Sequence, residues 1–153
     1  MKVWQLMTND VETLDADTTL DLADDLMRMK RIRHLPVMQN GELVGLVTQR
    51  DLFRAGLSSV LDFRSGVAKE WLRHIPVREV MVHELITISP DTDVEEAVRR
   101  MLNHKIGCLP VMAGSQLVGL ISETDCLRYL SRILSLSDVK KQITKEEQVT
   151  ELC

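Results

Sequence analysis

The sequence lacks what would commit the chain to a membrane, a disulfide framework or a polyanion. No apolar run approaches the roughly 18 residues that a bilayer crossing needs. The N-terminus, MKVWQLMTND, has no apolar core followed by a small-residue cleavage site, so no signal peptide is expected. The three cysteines, Cys108, Cys126 and Cys153, are odd in number and far apart. They fit neither a zinc spacing nor a disulfide framework, and a reducing cytoplasm is the simplest setting. There is no basic run, and 19 basic against 23 acidic side chains leave a net charge of −4. That balance argues against general nucleic-acid binding. What is present, 153 residues with 44% hydrophobic and 27% charged, is globular composition. It suffices for one ordinary domain or two very small ones packed together.

Self-similarity sets the organisation. A shift of 74 residues superimposes the two halves without a gap, carrying Met7 onto Met81, Met27 onto Met101 and Asp51 onto Asp125. The run Leu35-Pro36-Val37-Met38 meets Leu109-Pro110-Val111-Met112, and Leu43-Val44-Gly45-Leu46 meets Leu117-Val118-Gly119-Leu120. In each copy a short extended piece (Val11 to Leu14, Leu85 to Ile88) leads to an N-cap candidate, Asp17-Thr18 or Asp91-Thr92. Apolar residues then recur at helical spacing: Leu20, Ala23 and Met27, and Val94, Ala97, Val98 and Met101. Each helix must stop near Ile32 or Ile106, because a proline follows within four residues. Leu35 to Met38 and Leu109 to Met112 read as strands, Asn40-Gly41 and Ala113-Gly114 as turns. Leu43 to Val47 and Leu117 to Ile121 read as strands buried on both faces, with a second helix starting near Thr48 or Ser122.

The expected fold is therefore α/β (α+β): two tandem β-α-β-β-α units packed sheet to sheet with pseudo-two-fold symmetry. A unit of about 50 residues buries too little surface alone. The expected organisation is repeat 1 over 1–56, a linker over 57–76, repeat 2 over 77–136 and a polar tail over 137–153. Val67, Ala68, Trp71, Leu72 and Ile75 share one helical face, so the linker is expected to contain a connecting helix. The tail is either a loosely docked helix or frayed.

Several motifs fail on inspection. Counting from Asp15, a calcium loop would need glycine and glutamate where Leu20 and Leu26 stand. Gly114 and Gly119 have the glycine spacing of a phosphate loop, but Leu120 and Ile121 replace the required lysine and hydroxyl residue. His34, His74, His83 and His104 show no paired metal spacing, and no serine or cysteine sits in a nucleophile elbow. No catalytic residue and no metal site is expected, and the chain does not read as an enzyme.

Two segments survive, Gly45 to Asp51 and Gly119 to Asp125. Each is a buried strand running into a helix start, with a hydroxyl residue (Thr48, Ser122) and an aspartate three positions on. One reading is ordinary capping, a Thr or Ser N-cap with an acid at the third helical position. The other is a ribose-phosphate site. A carboxylate can accept hydrogen bonds from both vicinal ribose hydroxyls, while a helix N-terminus with a hydroxyl offers donors to phosphate.

The ordered pattern Met7-Thr8, Val11 to Leu14, Ile32-x-x-Leu35-Pro36-Val37, Leu43-Val44-Gly45-Leu46 and Thr48-x-x-Asp51, present twice, resembles the cystathionine-beta-synthase (CBS) domain. Two in tandem resemble a Bateman module, over about residues 1–135, in small stand-alone proteins of the acetoin-utilisation type. The resemblance implies two clefts between the paired sheets, each suited to an adenosine compound: AMP, ADP, ATP or S-adenosylmethionine. It implies that Asp51 and Asp125 hold ribose, with Thr48 and Ser122 beside them. Adenine would lie against Thr13, Ile32 and Pro36 in one copy and Thr87, Ile106 and Pro110 in the other. Family phosphate-binding positions hold Arg33, His34 and Arg50 in the first copy, but Gly107, Cys108 and Thr124 in the second. Unequal sites are expected, with polyphosphates favoured and binding weakened by salt if the basic groups converge.

The resulting expectation is a nucleotide-sensing regulatory module that changes conformation on binding and signals to a partner protein. Leu52-Phe53 and Cys126 to Leu134 would form homodimer faces. The alternatives are a non-binding interaction module and a regulatory fragment of a larger enzyme or transporter. Met1 and a non-repeat tail favour a complete small protein.

Overall fold

In the computed structural model, the backbone is described for residues 1–59 and 70–150, and side chains for 1–56 and 70–137. Each repeat begins its α/β unit where the apolar pattern predicts. The first contains β1 (Leu14–Asp15), α1 (Leu20–Lys30), β2 (His34–Gln39), β3 (Glu42–Thr48) and α2 (Gln49–Ser59). The second contains α3 (Val94–His104), β4 (Cys108–Ala113), β5 (Gln116–Ser122) and α4 (Glu123–Thr150). Each β-hairpin is antiparallel, and β1 lies parallel to β2.

The extended pieces ahead of the helices are shorter than expected. Only Leu14–Asp15 forms a strand, and its counterpart is the single bridge of Ile88 to Val111. The N-caps are Thr19 and Asp93, not Asp17-Thr18 and Asp91-Thr92. Asp17 is engaged in a turn instead, its N–H donating to Asp15 Oδ1 at 2.9 Å. The first hairpin turn is Asn40-Gly41, both left-handed, at φ 51° and 78°. The second falls one residue later than read, at Gly114-Ser115, because Ala113 still pairs with Gln116.

Both first helices end in the same way. Arg31 and Lys105 each turn left-handed at φ 55°. The N–H groups of Ile32 and Ile106 then reach back to the Met27 and Met101 carbonyls at 3.0 Å. This is a Schellman-type stop built without glycine, and its strain is compensated by carbonyls that would otherwise lack donors. It sets residues 33 and 107 at matching places. From there the Arg33 and Gly107 carbonyls accept hydrogen bonds from Gln49 N–H and Glu123 N–H, each at 2.9 Å.

The core is two clusters, and each contains the first residues of the opposite sequence copy. Leu20, Met27, Leu35, Val37 and Val47 pack with Val77 and Met81. Ala97, Met101, Leu109, Val111 and Ile121 pack with Val3, and Leu6 and Met7 lie against them. Backbone pairing follows the exchange: Thr8 bridges to Leu120, and Val82 to Leu46. The two packed units are thus tied together at both ends, and β3 and β5 approach each other between them.

Positions 60–69 of the expected connecting helix lie outside the described residues. Residues 70–72 are helical, and Leu72 and Ile75 pack on the first core. The backbone from 137 to 150 continues α4, and 151–153 lie outside the described residues. Among the described residues no helix is long and apolar enough to cross a membrane.

The exchange explains why both copies have glycine at 45 and 119. A Cβ on Gly45 would overlap the Met81 side chain, and one on Gly119 would stand 2.6 Å from Met7 Sδ and 3.0 Å from the Thr8 carbonyl oxygen. Gly45→Ala and Gly119→Ala should each destabilise by about 1–3 kcal/mol through overpacking. At about 2–4 °C per kcal/mol, thermal unfolding should show a clear drop in midpoint. Gly119→Ala should be the worse, because a backbone atom cannot swing aside. Gly56→Ala, in α2 with nothing within 4 Å of the added methyl, should leave the midpoint unchanged or raise it. Equal behaviour of all three would refute the close-approach account.

Candidate functional site

A cleft of about 1540 Å³ opens between the repeats. It exceeds the roughly 300–1,000 Å³ of an ordinary small-molecule pocket. Both repeats give it polar and apolar lining. The first contributes Thr48, Arg50 and Asp51 from the β3–α2 junction, Arg33 and His34 from the entry to β2, and the apolar Leu46, Leu52 and Phe53. The second contributes Leu85, Ile86, Met101, Ile106 and Pro110, with the charged Glu84, Lys105 and Glu123.

The Thr48–Asp51 pair shows how one local motif can serve two purposes. The Thr48 N–H and Oγ1–H both donate to Asp51 Oδ2 at 2.8 Å, and Asp51 N–H donates back to Thr48 Oγ1 at 3.2 Å. This is a reciprocal cap, which satisfies donors at the start of α2. It uses one carboxylate oxygen. Asp51 Oδ1 accepts no hydrogen bond among the described residues, and the side chain lines the cleft. The cap therefore holds the carboxylate still without using its second oxygen.

The second repeat makes the same cap. Ser122 N–H and Oγ–H donate to Asp125 Oδ2 at 2.9 and 2.6 Å, with Asp125 N–H returning to Ser122 Oγ at 3.3 Å. Its other oxygen differs. Arg128 Nη1 stands 3.3 Å from Asp125 Oδ1, whereas Asp51 has no such ion pair among the described residues.

The three basic positions that the resemblance singles out face one cleft. Arg33, His34 and Arg50 all line the cleft that holds Asp51. Ile106 and Pro110 of the second copy line the same cleft, so it is built from both copies. Asp125, Ser122, Thr124, Thr13, Ile32, Pro36 and Thr87 do not line it. Ile32 packs against the first core, and the Thr87 carbonyl accepts Arg100 Nη1–H at 2.9 Å. Thr124 instead accepts a hydrogen bond from Arg33 Nη2 at 3.0 Å across the repeat boundary.

Sequence reasoning did not pick out Lys105, Glu123, Leu85 or Ile86, which also line the cleft. Lys105 was reachable, because it follows a periodic helix and precedes Ile106. The others become neighbours of Asp51 only once the repeats pack. The expected dimer faces also need correction. Leu52 is 4% exposed in the first core, because α2 turns it inward. Cys126 packs on the second core, while Phe53, Leu127, Leu130 and Leu134 remain exposed.

Two groups that line the cleft are shifted toward their neutral forms. Burial, then the Asp125 and Glu123 carboxylates nearby, push the Cys108 thiol up to about 12, so it stays protonated. Burial, and next the Arg33 guanidinium, hold the His34 imidazole below its ordinary value. Glu123, Asp51 and Asp125 oppose that shift without cancelling it.

A doubled α/β unit whose copies enclose a ligand-sized cleft between them defines the class of protein, a tandem cleft module. The chain belongs to the CBS domain family, whose model matches residues 3–58 and 77–132. It is 35% identical to a CBS domain-containing protein of Dictyostelium discoideum over 134 residues, 86% of this chain and 92% of that one. It is similar to the crystal structure of a Vibrio cholerae protein provisionally assigned to acetoin utilization (AcuB). That match has a TM-score of 0.74 and 36% identity, and covers 90% of this chain and 96% of the other. The fold is shared with the CBS domain pair of protein MJ0100, solved in complex with 5′-methylthioadenosine and S-adenosyl-L-methionine. There the TM-score is 0.71 and the identity 22%, over 86% and 96% of the two chains.

The depressed His34 has a sign that can be checked. Above its ordinary value of 6.5 the group is neutral both folded and unfolded and contributes nothing to pH dependence. Below it the unfolded chain binds a proton that the folded chain does not, so stability falls as pH drops. Asp93 and Glu96, held low by Lys2 and by Arg100, lose their contributions only at more acid pH. Thermal midpoints between pH 7 and 5 should therefore fall in the wild type and fall less steeply in His34→Gln. An unchanged slope in the variant would show that this imidazole is not the group responsible.

Proposed function

We infer that the protein is a regulatory module that binds an adenosine nucleotide, AMP, ADP or ATP, in the cleft between its repeats. It acts by binding and not by catalysis. The observation that carries this reading is the open oxygen of Asp51, a capped and fixed carboxylate facing a cleft with Arg33, His34 and Arg50 around it. A ribose diol suits the carboxylate, phosphates suit the basic groups, and a purine suits the apolar wall of Ile106 and Pro110. The ligands in the MJ0100 complex support an adenosine compound at the level of the fold, and S-adenosylmethionine is the rival ligand.

The two aspartates are not equivalent in this reading. Asp125 is already satisfied by Arg128, and the second repeat offers Gly107, Cys108 and Thr124 where the first offers cations. One strong site per chain follows, with Asp51 as the ribose residue and Asp125, with Ser122, as a weak or structural counterpart. The module works in the cytoplasm and pairs with a second copy through the exposed apolar face of Phe53 and Leu127 to Leu134, because such a stripe needs covering.

Thermal unfolding of wild type, Asp51→Ala and Asp125→Ala against AMP, ADP, ATP and S-adenosylmethionine tests this. Ligand at about 100 times its dissociation constant should add roughly 2.7 kcal/mol, a shift of several degrees at this size. The shift should be largest for a phosphate-bearing ligand, vanish in Asp51→Ala and survive in Asp125→Ala. No shift with any ligand, from protein shown to be ligand-free, would leave the non-binding interaction module as the better reading. A shift with S-adenosylmethionine alone would replace the nucleotide.

A further inference from the structure

Arg33 and Thr124 meet across the repeat boundary, and the pseudo-symmetry does not repeat this contact. The 74-residue shift carries Arg33 onto Gly107 and Arg50 onto Thr124. The symmetry-related contact would join Gly107 to Arg50, and glycine has no side chain to make it. The crossing is therefore made once, on the side where the cleft carries its cations. Gly107 contributes space as well. A Cβ there would stand 3.1 Å from His34 Nε2 and 3.3 Å from Glu123 Oε1, so the small residue admits the imidazole from the other repeat.

We propose that Thr124 is a positioning residue for anion binding: its hydroxyl, on the second repeat, holds the Arg33 guanidinium of the first repeat in the cleft in a phosphate-receiving pose. This rests on the nucleotide reading and deepens it by naming what selects the phosphates. Arg33 is an exposed side chain with many rotamers, and ordering it on binding would cost affinity. Thr124 Oγ1 takes one hydrogen bond, from Nη2 at 3.0 Å. A guanidinium has five N–H donors, so four remain for oxygens in the cleft. Arg33 is anchored at its backbone too, where its carbonyl accepts Gln49 N–H at 2.9 Å. Both ends of the residue are therefore tied near the start of a helix, one in each repeat.

The contact also accounts for the hydroxyl at 124. As a direct phosphate ligand Thr124 is misplaced, since it does not line the cleft. As an acceptor for Arg33 it acts through another residue, and its effect should be confined to ligands that Arg33 touches.

Dissociation constants for ATP, inorganic tripolyphosphate and adenosine, measured by calorimetry on wild type, Thr124→Val, Thr124→Ser, Arg33→Ala and the Arg33→Ala/Thr124→Val double variant, test the proposal. Thr124→Val keeps the branched shape and removes the acceptor. It should weaken ATP and tripolyphosphate by about three- to tenfold, the range of a single hydrogen bond, and leave adenosine within about twofold. Thr124→Ser should restore the wild-type values. In the double variant the loss should equal that of Arg33→Ala alone, because residues acting through one contact are not additive. Equal weakening of adenosine and ATP in Thr124→Val, or additive losses, would overturn the positioning role while leaving the nucleotide reading intact. Wild-type protein that binds none of the three probes would overturn both.

Discussion

The exchange of first segments is the constraint on which the other features depend. Val3 fills the core of the second unit and Val77 that of the first, so neither sequence copy completes its own core. A hydrophobic side chain buried in the other unit contributes on the order of 1.5–3 kcal/mol relative to exposure. Val3 and Val77 are each fully buried. Pulling the repeats apart would expose both, together with the methionines that follow them. Repeats linked by one flexible connection could drift in register and angle. Repeats that each hold the other's first segment are kept in register, and a cleft formed between them acquires defined walls.

Defined walls allow the cleft to be asymmetric. Two identical copies related by a two-fold axis would present two identical sites. Here the symmetry is kept where packing needs it, at Gly45 and Gly119, at the left-handed Arg31 and Lys105, and at both reciprocal caps. It is broken at 33 against 107, 34 against 108 and 50 against 124. The basic residues Arg33, His34 and Arg50 are the first members of these pairs. The second members are a space, a neutral buried thiol and an acceptor for Arg33.

The fold was largely legible in the sequence, because apolar periodicity, proline stops and a gapless internal repeat all point to the same units. Errors fall where local chemistry outweighed pattern. Asp17 and Thr18 look like a cap, but the Asp15 side chain captures the Asp17 N–H and displaces the cap to Thr19. Leu52 looked like part of a surface pair with Phe53, yet adjacent helical residues point about 100° apart and only one of them can face out. The candidate site was legible only in part: Thr48 and Asp51 carry a signal of their own, whereas Arg33, His34 and Arg50 are picked out by the family resemblance. Their union with Ile106 and Pro110, and the diversion of Thr124 to Arg33, depend on which copy faces which. No local spacing encodes that choice, nor does any encode the exchange of Val3 and Val77.

The sharing of the cleft has a mechanical consequence. Asp51, Arg33 and Arg50 line it from the first repeat, and Ile106 and Pro110 line it from the second. A small ligand with one anionic end and one apolar end gains its full binding energy only when both walls are at their proper separation. Its affinity then differs between any two arrangements of the repeats, and a ligand can bias such an equilibrium only by that difference. A site contained within one repeat could bind equally well and bias nothing. In the nucleotide reading, a ligand held by both repeats would couple occupancy to the relative placement of α2 and α4, the helices that carry the exposed Phe53, Leu127, Leu130 and Leu134. Lining shared between the repeats is therefore what would let binding alone act on anything beyond the ligand.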